Sequence, residues 1–152
     1  MANTYTQIHI QAVFVVKNRA CLIRDEWRTD LYKYISGIIS NKHHKPLAIN
    51  GMPDHLHVFF GMKPTESISD LLQDIKASSS KWINDKKLVP GKFSWQAGYG
   101  AFSYSKSHVP RVINYIANQE IHHGKTTFLQ EYLKFLEEFD VEYDERYLFK
   151  EV

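Results

Sequence analysis

Two stretches of this chain alternate apolar and polar residues with a period of two, and in both the polar side carries hydrogen-bonding and ligand-type groups. Tyr5 to Val16 sets Ile8, Ile10, Ala12, Phe14 and Val16 on one side and His9 and Gln11 on the other. Pro53-Asp54-His55-Leu56-His57-Val58-Phe59-Phe60 sets Leu56, Val58 and Phe60 against His55 and His57. Side chains of a strand point alternately to opposite faces, so such segments demand a sheet with one face under an apolar layer and a different environment on the other.

Two helical segments can supply that layer. Asp25 to Asn41 carries Trp27, Leu31, Ile35, Ile38 and Ile39 on one stripe, with Asp25 and Glu26 suited to its first turn. Thr65 to Asp85 carries Ile68, Leu71, Leu72, Ile75 and Ile83, with Thr65 or Ser67 available as a cap. Pro46 to Asn50 is a short strand, Gly51-Met52-Pro53-Asp54 a turn, and His55 to Gly61 the returning strand. Phe93 to Tyr104 is aromatic and extended, with a bulge or kink expected at Gly98 or Gly100. Ser107 caps a helix reaching about His123, Gly124 breaks it, and Thr127 to Phe139 forms a last helix. The order β-α-β-β-α-β plus two helices predicts an α+β, ferredoxin-like antiparallel sheet with additional C-terminal helices. In that fold the helices cover one face and leave the other free. With 152 residues the expectation is one domain, its core about 5–123 and a C-terminal helix and tail at 124–152.

The His-x-His pair is the densest chemical signal. Two imidazoles about 7 Å apart on one side of a strand can converge on a divalent ion. Eight histidines in 152 residues give roughly 0.4 such pairs by chance, so the spacing alone does not single out a metal site. The flank adds weight: a turn delivers the pair onto an otherwise apolar strand, where polar groups need partners. The second signal is Arg111-Val112-Ile113-Asn114-Tyr115-Ile116-Ala117-Asn118-Gln119-Glu120. At helical spacing, Val109, Val112, Ile113 and Ile116 form an apolar arc. Tyr115 and Gln119 lie side by side on its flank, with His108 and His122. A tyrosine at such a border is either an interfacial side chain or a nucleophile with a ligand one turn away. A phenol, with a pKa of about 10, needs nearby positive charge to attack a phosphodiester.

Together these residues resemble the single-tyrosine transposases of the IS200-like family. His55-Leu56-His57 looks like their HUH motif, and Asn114-Tyr115-Ile116-Ala117-Asn118-Gln119 looks like their Tyr-x-x-x-Gln helix. Gly51-Met52-Pro53-Asp54 and Trp95-Gln96-Ala97-Gly98-Tyr99-Gly100-Ala101-Phe102-Ser103 are similar as well. The resemblance implies that His55, His57 and Gln119 hold Mg²⁺ or Mn²⁺, with His122 a reserve ligand. It implies that Tyr115 attacks single-stranded DNA carrying a hairpin near the end of the element, leaving a 5′-phosphotyrosine link and a free 3′-OH. It also implies a homodimer, in which the tyrosine helix often completes the partner's site. Lys76, Lys81, Lys86, Lys87, Lys92, Lys106 and Arg111 are then candidate phosphate contacts, and Trp95, Tyr99 and Phe102 candidate stacking groups. For most of these a solvated charge or a core ring is the plainer account.

Composition permits this reading without requiring it: the net charge is +2 and the pI near 8.5. The N-terminus has no signal-peptide pattern and no apolar run is long enough to span a bilayer, so the expected location is the cytoplasm. The chief alternative is a non-catalytic single-stranded nucleic-acid-binding module, which would place aromatics rather than His9, Gln11, His55 and His57 on the open face. A replication-initiation nuclease of the same chemistry usually carries extra domains, for which this chain has no room. A metal hydrolase using His55 and His57 without Tyr115 would form no covalent adduct with DNA.

Overall fold

The two alternating segments are neighbours at the centre of a four-stranded antiparallel sheet. The computed structural model describes residues 4–124 and 126–143. The elements run β1 (His9–Val15), α1 (Asp25–Asn41), β2 (Lys45–Met52), β3 (His55–Gly61), α2 (Ile68–Asp85), β4 (Gly100–Tyr104), α3 (Val109–Ala117), α4 (Gln119–His123) and α5 (Phe128–Glu138). The strand order is β2-β3-β1-β4, the split βαβ arrangement expected from the sequence. Ile10, Ala12 and Phe14 of β1 and Leu56, Val58 and Phe60 of β3 face α1 and α2. They pack there with Trp27, Leu31, Ile35 and Ile39 and with Leu71, Leu72, Ile75 and Ile83. The cap of α2 is Ser67, whose hydroxyl accepts from Asp70 N–H at 3.1 Å.

The opposite face corrects the sequence reading, for it is covered rather than free. Val13, Val15 and Phe102 pack against Phe128, Tyr132, Phe135 and Leu136 of α5, while Phe59 packs against Val112 and Ile116 of α3. The apolar stripe of α5 needs somewhere to go, and the valines and phenylalanines on this face of β1, β3 and β4 provide it. Gln11, His55 and His57 are consequently sealed in, at 1%, 1% and 0% exposure.

Two further expectations change. The strand expected from Phe93 shortens to Gly100–Tyr104 because the chain leaves register at Gly98, whose φ is +90°. The preceding loop keeps one bridge, Val16 to Trp95. The loop is tied to α2 by Lys76, whose ammonium donates to the carbonyls of Gln96 and Gly98 at 2.8 Å each. The helix expected from Ser107 to His123 is a single turn at Lys106–His108, then α3, a non-helical Asn118, then α4. The final helix begins on a capping box, Thr127 with Gln130.

The hairpin joining β2 to β3 sets where the histidines sit, and Gly51 sets how tightly it closes. A Cβ at Gly51 would stand 2.1 Å from the carbonyl oxygen of His55 and 2.9 Å from Cα of Leu56. Because both obstacles are backbone, Gly51→Ala is expected to lower stability by about 1–3 kcal/mol. The shift of the urea-unfolding midpoint measures this; an unchanged midpoint would mean that the hairpin widens at no cost.

Candidate metal and tyrosine site

The hairpin turn presents Asp54 to two partners at once. Its Oδ2 accepts from Nε and Nη2 of Arg19 at 3.1 and 2.9 Å, and its Oδ1 lies 2.8 Å from Nδ1 of His55. Arg19 also lies over the Phe128 ring, 5.0 Å from its centroid. Burial pushes the Asp54 carboxyl up, but hydrogen bonds from His55 and Arg19 outweigh it and hold the group below its ordinary range. Asp54 is therefore an acceptor, so His55 Nδ1 is the protonated nitrogen and Nε2 keeps its lone pair. That Nε2 is buried without a hydrogen-bond partner among the described residues, 3.9 Å from Oε1 of Glu131. Burial lowers the pKa of His55 to about 4, which leaves the ring neutral near pH 7.

His57 is oriented the same way by a different group. Gln11 donates its amide N–H to the Tyr104 hydroxyl at 2.9 Å, and its Oε1 accepts from His57 Nδ1 at 2.7 Å. His57 Nε2 then faces Oε1 of Glu131 at 3.0 Å. His123 brings its Nε2 to 3.2 Å from the same oxygen and 3.1 Å from Oε1 of Gln119. On its other oxygen, Glu131 accepts from the Gln119 amide at 3.4 Å and from the Tyr115 hydroxyl. Glu131 thus joins the histidines to the tyrosine. Burial pushes its carboxyl up, but the contacts with His123, His57 and Tyr115 hold it well below the usual carboxylate range.

One ligand atom each from His55, His57, His123 and Glu131 lies within 4.8 Å of all the others. With Nδ1 of His55 and His57 committed to Asp54 and Gln11, the ε nitrogens meet a carboxylate with lone pair against lone pair. Such a cluster calls for positive charge at its centre, either a proton or a bound cation. Neutral imidazoles and a carboxylate are suitable donors for a divalent ion. The Tyr115 phenol is pushed well above its ordinary pKa, by burial first and then by the charge of Glu131. It is therefore a hydroxyl donor here.

Of the residues singled out in the sequence, His55, His57, Tyr115 and Gln119 come together, and all belong to one chain. The His57 and Tyr115 ring centroids are 6.0 Å apart. Gln119 is buried at the same cluster, its Oε1 3.1 Å from Nε2 of His123 and its amide donating to Oε2 of Glu131 at 3.4 Å. The side chain of His122 lies outside the described residues, and the neighbouring His123 is the one at the cluster. Glu131 was missed, although its signal was legible: at helical spacing it falls within the stripe of Phe128, Tyr132, Phe135 and Leu136, where an unpaired acid is costly.

The DNA-contact candidates divide. Lys76 holds the loop carbonyls, and Trp95 is a core ring whose Nε1 donates to Ser79 Oγ at 3.0 Å. Phe102 is buried and Tyr99 packs against the main core. Lys81 pairs with Asp85 at 2.6 Å, and Lys86 lies over the Trp82 ring. Lys87, Lys92, Lys106 and Arg111 are exposed.

Comparison with known proteins shows the family and the fold. Residues 4–119 match the family described as Transposase IS200 like. The chain belongs to the IS200-like transposase family. Two solved structures share the fold. One, a crystal structure of a candidate transposase from Deinococcus radiodurans R1, is 21% identical with a TM-score of 0.63, over 78% of this chain and 95% of that one. The other is a REP-associated tyrosine transposase bound to a REP hairpin, 15% identical with a TM-score of 0.61, over 95% of this chain and 91% of that one. A search of curated proteins gives no match. Among the described residues of this transposase, no helix is long and apolar enough to cross a membrane.

The carboxylate behind His55 fixes the ring nitrogen that faces the cluster, as partners of metal-bound histidines generally do. Asp54→Asn is expected to weaken Mn²⁺ binding by roughly 10–100-fold, read by calorimetric titration. Unchanged affinity would show that Asp54 serves the hairpin alone.

Proposed function

We propose that this transposase cleaves and rejoins single-stranded DNA through a covalent 5′-phosphotyrosine link at Tyr115. The observation that carries the reading is the Tyr115 hydroxyl bonded to Glu131, the same carboxylate that meets His57 and His123. A nucleophile and a set of ligand atoms share one group. In the reaction the tyrosine oxygen gives up its proton and bonds to phosphorus as the bond from phosphorus to the 3′-oxygen breaks, and the freed 3′-oxygen takes up a proton. One phosphodiester is exchanged for another, so the strand can be rejoined without an external energy source.

His55, His57, His123 and Glu131 would hold the divalent ion, with Gln119, whose Oε1 lies 3.1 Å from Nε2 of His123, a further oxygen donor at the same point. When bound there, the ion would supply Lewis-acid stabilisation of the charge that builds on the phosphate. Imidazole-rich donors suit transition ions better than Mg²⁺, which prefers oxygen ligands and retained water, so Mn²⁺ is the better fit of the two ions considered. The remaining roles belong to the chain: Asp54 and Gln11 orient the two rings, and Glu131 holds the phenol at the edge of the cluster.

The substrate proposed is hairpin-bearing single-stranded DNA, on the analogy of the REP-associated transposase bound to a hairpin. A homodimer, as the resemblance implies, would bring two DNA ends together. It need not complete the site, because Tyr115 stands beside the histidines of its own chain, which favours cleavage in cis. The binding-module alternative loses its surface, since α3 and α5 cover the sheet face on which bases would stack.

The test uses end-labelled hairpin oligonucleotides copied from the DNA flanking the gene, with Mn²⁺. Wild type is expected to give a covalent protein–DNA band on a denaturing gel. Tyr115→Phe, which keeps the ring, should give none, and neither should wild type in excess EDTA. An adduct with the Phe variant would assign the nucleophile elsewhere, and cleavage in EDTA would remove the metal from the reaction.

A further inference from the structure

The histidine cluster is buried, but Tyr115 and Glu131 also line a cavity of about 250 Å³ that is partly open to solvent. Its lining changes character with depth. Buried Val112 and Phe135 and half-buried Tyr104 give it apolar and aromatic surface. Exposed Arg111, Lys134 and Glu138 stand where it meets solvent. Arg111 lies one helical turn before Tyr115, and Lys134 one turn after Glu131, so both cations flank the reacting groups by construction.

The volume is below the range of about 300–1,000 Å³ typical of pockets for drug-sized ligands, and so fits one small planar group. The cations Arg111 and Lys134 are exposed at the mouth, so a backbone phosphate is met there, while the interior offers apolar and aromatic surface. A neutral ring fits the aromatic surface, and Glu138, exposed at the mouth, can accept from an N–H group on a base edge. The rim cations would then meet the phosphates on either side of that ring.

We propose that this cavity seats a single nucleobase adjacent to the phosphate that Tyr115 attacks, with Arg111 and Lys134 binding the neighbouring backbone. The inference rests on the strand-transfer reading and makes it more specific: the base in the cavity sets which phosphate lies beside Tyr115. Thr126, in the loop before α5, also lines the cavity and is half-buried, so a larger side chain there fills the space without disturbing a helix.

The experiment measures binding rather than cleavage. The full chain is titrated in EDTA with a fluorescent hairpin oligonucleotide from the flanking DNA, replaced one position at a time by an abasic nucleotide. One position in the single-stranded arm is expected to cost about tenfold in affinity, the scale of one lost stacking contact. Thr126→Trp should weaken the intact probe by a similar factor and abolish the abasic penalty. Arg111→Ala and Lys134→Ala, both at exposed positions, should each reduce the slope of log K against log salt by about 0.7. An abasic penalty at no position, or one that survives Thr126→Trp, overturns the base seat, whatever the adduct assay shows. Unchanged salt slopes in both variants overturn the backbone contacts. If the penalty is present and no adduct forms, the base seat stands and the strand-transfer reading fails.

Discussion

A buried carboxylate among three imidazoles is the constraint on which the rest of this site depends. Glu131 is 3% exposed, and His57, His123 and His55 bring ring nitrogens to 3.0, 3.2 and 3.9 Å from its Oε1. Each neighbouring choice sharpens the need for positive charge at that point. Asp54 and Gln11 fix the δ nitrogens of His55 and His57 as donors, which turns their ε lone pairs inward. Burial keeps His55 neutral near pH 7, so that ring does not supply the charge by taking up a proton. The phenol of Tyr115 donates one hydrogen bond, which relieves part of the imbalance and places that hydroxyl at the cluster's edge.

Closing α5 over these groups has opposing energetic terms of comparable size. Desolvating a carboxylate costs several kcal/mol even after the protein relaxes. Against this, burying side chains such as Phe128, Phe135 and Leu136 gives about 1.5–3 kcal/mol each when burial is complete. Hydrophobic packing is therefore enough to hold Glu131 in place, and the Arg19–Asp54 ion pair with Arg19 over Phe128 braces the near side. The same helix that supplies a ligand-type group also supplies the lid over the sheet face.

The parts legible in the sequence were those governed by local periodicity. The bounds of α1 and β3 follow from their stripes and flanking turns, and alternation along β3 places His55 and His57 together. Gln11 was visible as a polar residue opposite the core, but its role needed the β1–β3 pairing that sets Val13 across from His57. The break at Asn118 was hidden because nothing in Ala117-Asn118-Gln119 forbids a continuous helix; docking on β2, where Asn50 donates to the carbonyls of Ile116 and Ala117, decides it. Glu131 escaped notice because a lone acid in an amphipathic helix is ordinarily read as exposed. Its place within the apolar stripe of α5 is the one sequence signal against that reading, and the covered sheet face shows where the stripe packs.

We infer that the positive charge this cluster calls for is a bound divalent ion. Diffraction from crystals grown with Mn²⁺, collected where manganese scatters anomalously, tests it without reference to activity. The expected result is one anomalous peak bonded to ring nitrogens of His55, His57 and His123 and to a Glu131 oxygen. A map with no peak there, and with His57 still hydrogen-bonded to Glu131, would show that a proton holds the cluster together and would contradict the metal site.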